Sequence, residues 1–259
     1  MFPGLDRTGL LRPPAIEAPR LANRSAAVFA DILHLARGYP LAIRNREHRA
    51  QIVRDCRYFN LRGLEQLVIA CDVGWNPLRR RGEIIIGLDD IALRGVAVSD
   101  SGSGHGYGYV TYARPFTDDE RNDLIVQVGD DGAVMDRQGR IEFLGSARES
   151  MARLIKTVTT GLETRVVVTG DTDVVVDGQV TPNAMPEHSR KRSRLDAELD
   201  AGADADADAG LNGSLDSKWY VQTGQWLLRV SQFQTVELVA VKLDVYTSSR
   251  ERTRKRVFL

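Results

Sequence analysis

The sequence predicts an α+β protein, and three observations carry that assignment. Between Asn23 and Ala70 apolar residues recur at helical spacing; beyond Cys71 they alternate at the period of a strand; and Gly/Asp/Asn clusters punctuate the alternation. The expected architecture is an N-terminal helical region followed by a mainly antiparallel, β-rich C-terminal domain with a disordered insert.

Residues 1–22 hold four of the nine prolines and show no sustained period, which reads as a loop-rich lead-in. A first helix then starts at a cap, Asn23 or Ser25, and carries Val28, Phe29, Ile32, Leu33 and Ala36 on one stripe. Gly38 stops it and Pro40 forbids its continuation. A second helix is expected from Asn45 to Phe59, with Ala50, Ile52, Val53, Cys56 and Phe59 inward, and a short third around Leu64, Leu67 and Val68. Core positions are assigned to Phe29, Ile32, Leu33, Phe59, Leu61 and Leu64.

Strands are expected at Glu83–Gly87, Ile91–Val98, Tyr107–Ala113, Leu124–Val128, Ile141–Leu144 and Arg165–Thr169, and a β pair at Trp219–Val230 and Val236–Tyr246. Gly129-Asp130-Asp131-Gly132 reads as a turn, and Ser146–Thr159 as a helix. Ser99–Gly106 reads as a flexible loop. Within 177–216 a basic cluster precedes an alternating Asp/Ala tract, whose alanines offer too little apolar area to offset the entropy of ordering.

Composition narrows the function classes. Lys+Arg and Asp+Glu both total 35 in 259 residues, so the net charge is zero, which argues against a nucleic-acid partner held by a uniformly basic surface. Two cysteines cannot build a disulfide framework, and free thiols point to a reducing, intracellular compartment, cytoplasm or nucleus. The N-terminus has no apolar signal region, and no run approaches the ~20 apolar residues of a membrane span.

No set of residues supports chemistry. His48 and Cys56 lie two helical turns apart, about 12 Å along the axis, too far for a nucleophile–base pair; the reading is a solvated or capping His48 and a buried Cys56. The glycine-rich stretch Ser101–Gly108 runs into a strand, without the lysine and helix start of a phosphate loop. The acidic clusters Asp89-Asp90, Asp118-Asp119-Glu120 and Asp130-Asp131 fall at turns and lack calcium-loop spacing. Catalytic, cofactor-binding and metal-binding residues are therefore none, and no cofactor is expected. An undetected enzyme in the β-rich domain is the remaining chemical reading. Arg190, Lys191, Arg192 and Arg194 have the composition of a nuclear-import signal, and with the acidic tract they make a nuclear regulator the alternative function. The C-terminal Arg250–Arg256 run abuts Val257-Phe258-Leu259, read as a last strand. The helical region carries many arginines with Tyr39 and Tyr58 nearby, a composition enriched at protein interfaces.

Asn23-Arg24-Ser25 followed by Phe29 and Ile32-Leu33, with Leu35-Ala36-Arg37-Gly38 as the stop, resembles a signature of the potassium-channel-tetramerisation type of BTB/POZ domain. Further on, Asp55-Cys56-Arg57-Tyr58-Phe59-Asn60-Leu61-Arg62-Gly63-Leu64 is similar to that family's second helix pair. The combined string looks most like fungal proteins of this type. The family's opening strands are not matched within residues 1–20, so the resemblance is to a partial domain. The resemblance marks a partial BTB/POZ-like region, 1–72, beside the β-rich domain, 73–176 with 217–259, and the insert, 177–216, which the change of period and the low-complexity composition delimit. It further implies a non-enzymatic protein-interaction or homo-oligomerisation module, an adaptor or scaffold toward itself, another protein, or a cullin of a ubiquitin ligase. The interface residues expected are Tyr39, Arg49, Arg57 and Arg62.

Overall fold

The computed structural model describes residues 24–99, 107–136, 141–159, 164–167, 173–180, 218–231 and 235–254. The chain divides into two units, Met1–Val68 and Ile69–Leu259.

In the first unit, α1 (Ala26–Ala36) begins where the Ser25 hydroxyl accepts a hydrogen bond from the Val28 amide, 3.4 Å. Helix α2 (Arg46–Tyr58) begins at Asn45, whose side-chain oxygen accepts from the His48 amide at 2.7 Å. Asn60, at φ +56°, turns the chain between α2 and α3 (Arg62–Val68); asparagine takes that left-handed conformation more readily than most residues. Val28 and Ile32 of α1 bury with Ile52, Val53 and Cys56 of α2 and Val68 of α3.

Phe29 and Leu33, expected in the core, are each 40% exposed. The apolar stripe of α1 is two columns wide, and the hairpin partner covers the column of Val28 and Ile32 while leaving the other in the open. Ile32 is fully buried; Phe59, Leu61 and Leu64 are partly buried.

The second unit is built on one curled, largely antiparallel sheet, so the protein is α+β. Its strands among the described residues are β1 (Cys71–Asn76), β2 (Arg81–Gly87), β3 (Val96–Ser99), β4 (Tyr107–Tyr112), β5 (Asn122–Asp136), β6 (Ile141–Phe143), β7 (Thr164–Val167), β8 (Asp173–Val176), β9 (Gln179–Val180), β10 (Lys218–Ser231) and β11 (Val236–Tyr246). The order along the sheet is β1-β2-β5-β4-β10-β11-β8-β9, with β3 on β4, β6 on β5 and β7 on β11. Three pairings are parallel, β2–β5, β7–β11 and β8–β11. Helix α4 (Gly145–Val158) buries Ala147, Ser150, Met151 and Leu154. Trp226 is fully buried, with the Phe143 ring edge-on at 5.9 Å.

Several elements depart from the sequence reading for identifiable reasons. Strand β5 runs straight through Gly129–Gly132: Val221 opposes Ala133 and Thr223 opposes Gly129, so the extra residues form a bulge against β10 rather than a hairpin turn. The apolar run Ile91–Val98 is a strand only from Val96; Leu88–Asp90 and Leu93–Gly95 are 3-10 turns. Gly95 sits so close to the Ala113 carbonyl and the Tyr112 ring that no side chain fits there. The Arg250 run belongs to a short helix, α5 (Ser249–Arg254), while 257–259 lie outside the described residues. Four residues assigned to the insert are instead ordered in the sheet: Asp177 and Gly178 form the turn between β8 and β9, and Gln179–Val180 are β9 itself; residues 181–216 lie outside the described residues.

A candidate protein-interaction surface

The first unit is held by polar contacts at both ends of its helical hairpin. Arg24, just ahead of α1, donates from its guanidinium to Asp55 in the last turns of α2; Asp55 is fully buried and also accepts from Arg54 Nε at 3.1 Å. Asp31 in the middle of α1 accepts from Arg44 at 2.7 Å and lies 2.9 Å from His48 Nε2 in the first turn of α2. These contacts fix α1 and α2 as antiparallel neighbours. His48 is therefore not solvated: it is buried, its Nδ1 accepting from the Arg44 amide at 3.2 Å. Cys56, fully buried, has its thiol pushed up to about 11, by burial first and then by the Glu65 and Asp55 carboxylates. A thiol so protonated is a packing group, not a nucleophile.

On this frame a chain of aromatic rings lies in the open. Phe29 meets Phe59 with centroids 5.2 Å apart, Phe59 meets Tyr58 edge-on at 5.1 Å, and the Arg24 guanidinium lies 4.3 Å above the Tyr58 ring. Leu33 extends the row one turn beyond Phe29. Tyr58 is 55% exposed. Rings locked by one another and by a cation present apolar area at low entropic cost to a binding partner.

The four expected interface residues are not all gathered here. Arg57 donates to Glu65 at 2.7 Å and Arg62 to Asn60 at 2.9 Å, so both stand at the α2–α3 turn beside Tyr58 and Phe59. Tyr39 is exposed but stacks on His34, centroids 4.8 Å apart, beyond the other end of α1. Arg49 is half-buried, its Nε without a hydrogen-bond partner among the described residues. Phe29, Leu33 and Arg24 belong to the surface and were not assigned to it from sequence. The signal was present in the doubled apolar column of α1, which a single partner helix cannot cover. Arg190, Lys191, Arg192 and Arg194 lie outside the described residues.

The chain is similar to a BTB/POZ domain-containing protein of Saccharomyces cerevisiae. Identity is 34% over 85 residues, 33% of this chain and 17% of that protein. An uncharacterized protein of the same yeast matches at 34% identity over 100 residues, 39% of this chain and 20% of its own length. The chain thus spans about a fifth of the length of the curated relatives it matches. No family model and no solved structure matches it. The finding is a BTB-like relationship over part of the chain.

The second unit offers less. Among the described residues no group of His, Cys, Asp and Glu is placed to hold a metal ion, and no helix is long and apolar enough to cross a membrane. Ser150 donates to Asp89 at 2.7 Å and accepts from Arg153 at 3.0 Å, a polar seam tying α4 to the turn after β2.

Proposed function

We propose that residues 24–68 serve as a non-enzymatic protein-interaction module of BTB-like kind, through which the protein acts as an adaptor or scaffold. The observation that carries this reading is the exposed row Leu33–Phe29–Phe59–Tyr58, set on helices that the Arg24–Asp55 and Asp31–His48 contacts hold in place. Aromatic and arginine side chains on a rigid scaffold are the composition of interface hot spots, where few residues supply most of the binding energy. The similarity to a BTB/POZ domain-containing yeast protein supports the same reading. The finer possibilities are homo-oligomerisation, capture of another protein, or attachment to a cullin-type ligase in cytoplasm or nucleus.

Site-specific photo-crosslinking in cells tests the module. A benzophenone side chain placed at Phe29 or Tyr58 is expected to give discrete protein adducts, which the same group at exposed Lys218 of β10 does not give. Equal yields at all three positions, or none at the helical ones, overturn the reading.

A further inference from the structure

We infer that the partner of this face is an acidic segment with apolar side chains from a different protein, not a second copy of the chain meeting it face to face. The inference rests on the interaction-module reading and adds the chemistry of the occupant. Residues 24–68 contain eight arginines, no lysine and four carboxylates, in a chain whose net charge is zero. The charge is not spread evenly round the helices. On α2, Arg46, Arg54 and Arg57 occupy the exposed face opposite the buried stripe of His48, Ile52, Asp55 and Cys56, where Glu47 is the single exposed carboxylate of that helix. Even within their ion pairs, the Arg54 and Arg57 side chains are about half exposed, at 53% and 49%.

That face borders the aromatic row. Arg54 lies one turn before Tyr58 and Arg57 is next to it; Arg24 covers the Tyr58 ring, and Arg62 stands across the α2–α3 turn. A ligand crossing from α1 to α2 meets Leu33, Phe29 and Phe59 first and guanidinium groups second. An amphipathic acidic segment satisfies both, its apolar side chains on the rings and its carboxylates on the arginines. A second copy meeting it across a two-fold axis satisfies only the first. In a two-fold interface each surface meets itself, so Arg54, Arg57 and Arg62 would face their own counterparts, and like charges brought together oppose association.

The test uses the full chain and a fluorescein-labelled synthetic peptide with glutamates on one helical face and leucine and phenylalanine on the other. Two further peptides serve as controls, one with lysine for every glutamate and one with alanine for every apolar residue. The acidic amphipathic peptide is expected to bind, with an affinity that falls with added salt and drops about tenfold on Arg57→Glu combined with Arg62→Glu. Phe29→Asp, a change at an exposed position, is expected to abolish binding without loss of helical content. The Arg57→Glu, Arg62→Glu chain is expected to gain affinity for the lysine peptide, which a merely unfolded variant would not do.

Equal binding of the acidic and lysine peptides, or binding indifferent to these substitutions, overturns the inference. So does a concentration-dependent dimer by light scattering that Phe29→Asp dissolves, which would make a second copy the occupant. Adducts at Phe29 and Tyr58 with no binding of the acidic peptide leave the module standing and remove only the acidic partner. Absence of both removes the module as well.

Discussion

Arg24 and Asp55, 31 residues apart in sequence, form an ion pair that joins the start of α1 to the end of α2. The carboxylate is fully buried, while the guanidinium keeps about a fifth of its side chain in solvent and covers the Tyr58 ring. The asymmetry decides what each truncation costs. Removing the arginine strands a buried charge; removing the carboxylate frees a cation that can reach water.

Arg24→Met is therefore expected to destabilise the first unit by about 2 kcal/mol, below the ~3–5 kcal/mol of a fully buried pair because Arg54 still reaches Asp55 at 3.1 Å. Asp55→Leu is expected to cost less than Arg24→Met, and the double variant less than the sum of the two. Urea denaturation followed by helical circular dichroism measures all three, with a double-variant cycle isolating the pair.

The two cysteines are expected to react in a fixed order. Cys56 is fully buried with its thiol pushed up to about 11, whereas Cys71 is partly exposed. At pH 8 a maleimide is expected to modify Cys71 first and Cys56 only on unfolding. The folded Cys56 holds its proton longer than the unfolded one, so its contribution to stability is complete below the ordinary thiol range and is lost as pH rises toward 11. Comparing wild type with Cys56→Ala from pH 8 to 11 isolates that slope; an unchanged slope would refute the assignment.

Arg114 clamps Asp118 by its own amide at 2.8 Å and by its guanidinium at 2.6 Å, closing the loop that carries Phe116 at φ +66°. The Arg114 hydrogen bonds hold the Asp118 carboxyl below the usual carboxylate range. For a carboxylate so depressed, the stabilisation is present above the unfolded value and is lost as pH falls through the folded one. Asp118→Asn is expected to lower the melting temperature more at pH 7 than at pH 2, as calorimetry at the two values would show.

Gly224 of β10 lies against the ring of Trp226, and a methyl group added there would overlap the indole outright. Trp226 is fully buried and cannot swing away without opening the core. Gly224→Ala is expected to destabilise the second unit by about 2–3 kcal/mol, in the range of overpacked cores. Tryptophan fluorescence during denaturation reads this directly, and Gly74→Ala on β1, where nothing lies within 4 Å, is the matched control.

Much of the helical unit was legible from residue chemistry. Ser25 and Asn45 are good caps because their short side chains reach the free amides of a first turn, and Gly38 and Pro40 end α1 by conformations other residues resist. The strands β4, β10 and β11 followed from alternation. The bulge of β5 was not legible, because Gly-Asp-Asp-Gly has turn composition and only the long partner β10 holds the backbone extended across it. Strands β1 and β8 gave too weak a pattern to announce themselves. Cys71–Asn76 is mostly exposed at a sheet edge, where burial imposes no alternation.

The sequence by itself determined the three helices of the first unit and the longest strands of the second, because propensity, capping and periodicity act over a few residues. Only the tertiary structure decided which apolar column of α1 is core and which is surface. Phe29 and Ile32 are indistinguishable in hydrophobicity and both lie on the stripe; their burial differs because α2, anchored by Asp55 and His48, comes to rest on one column and leaves the other to solvent.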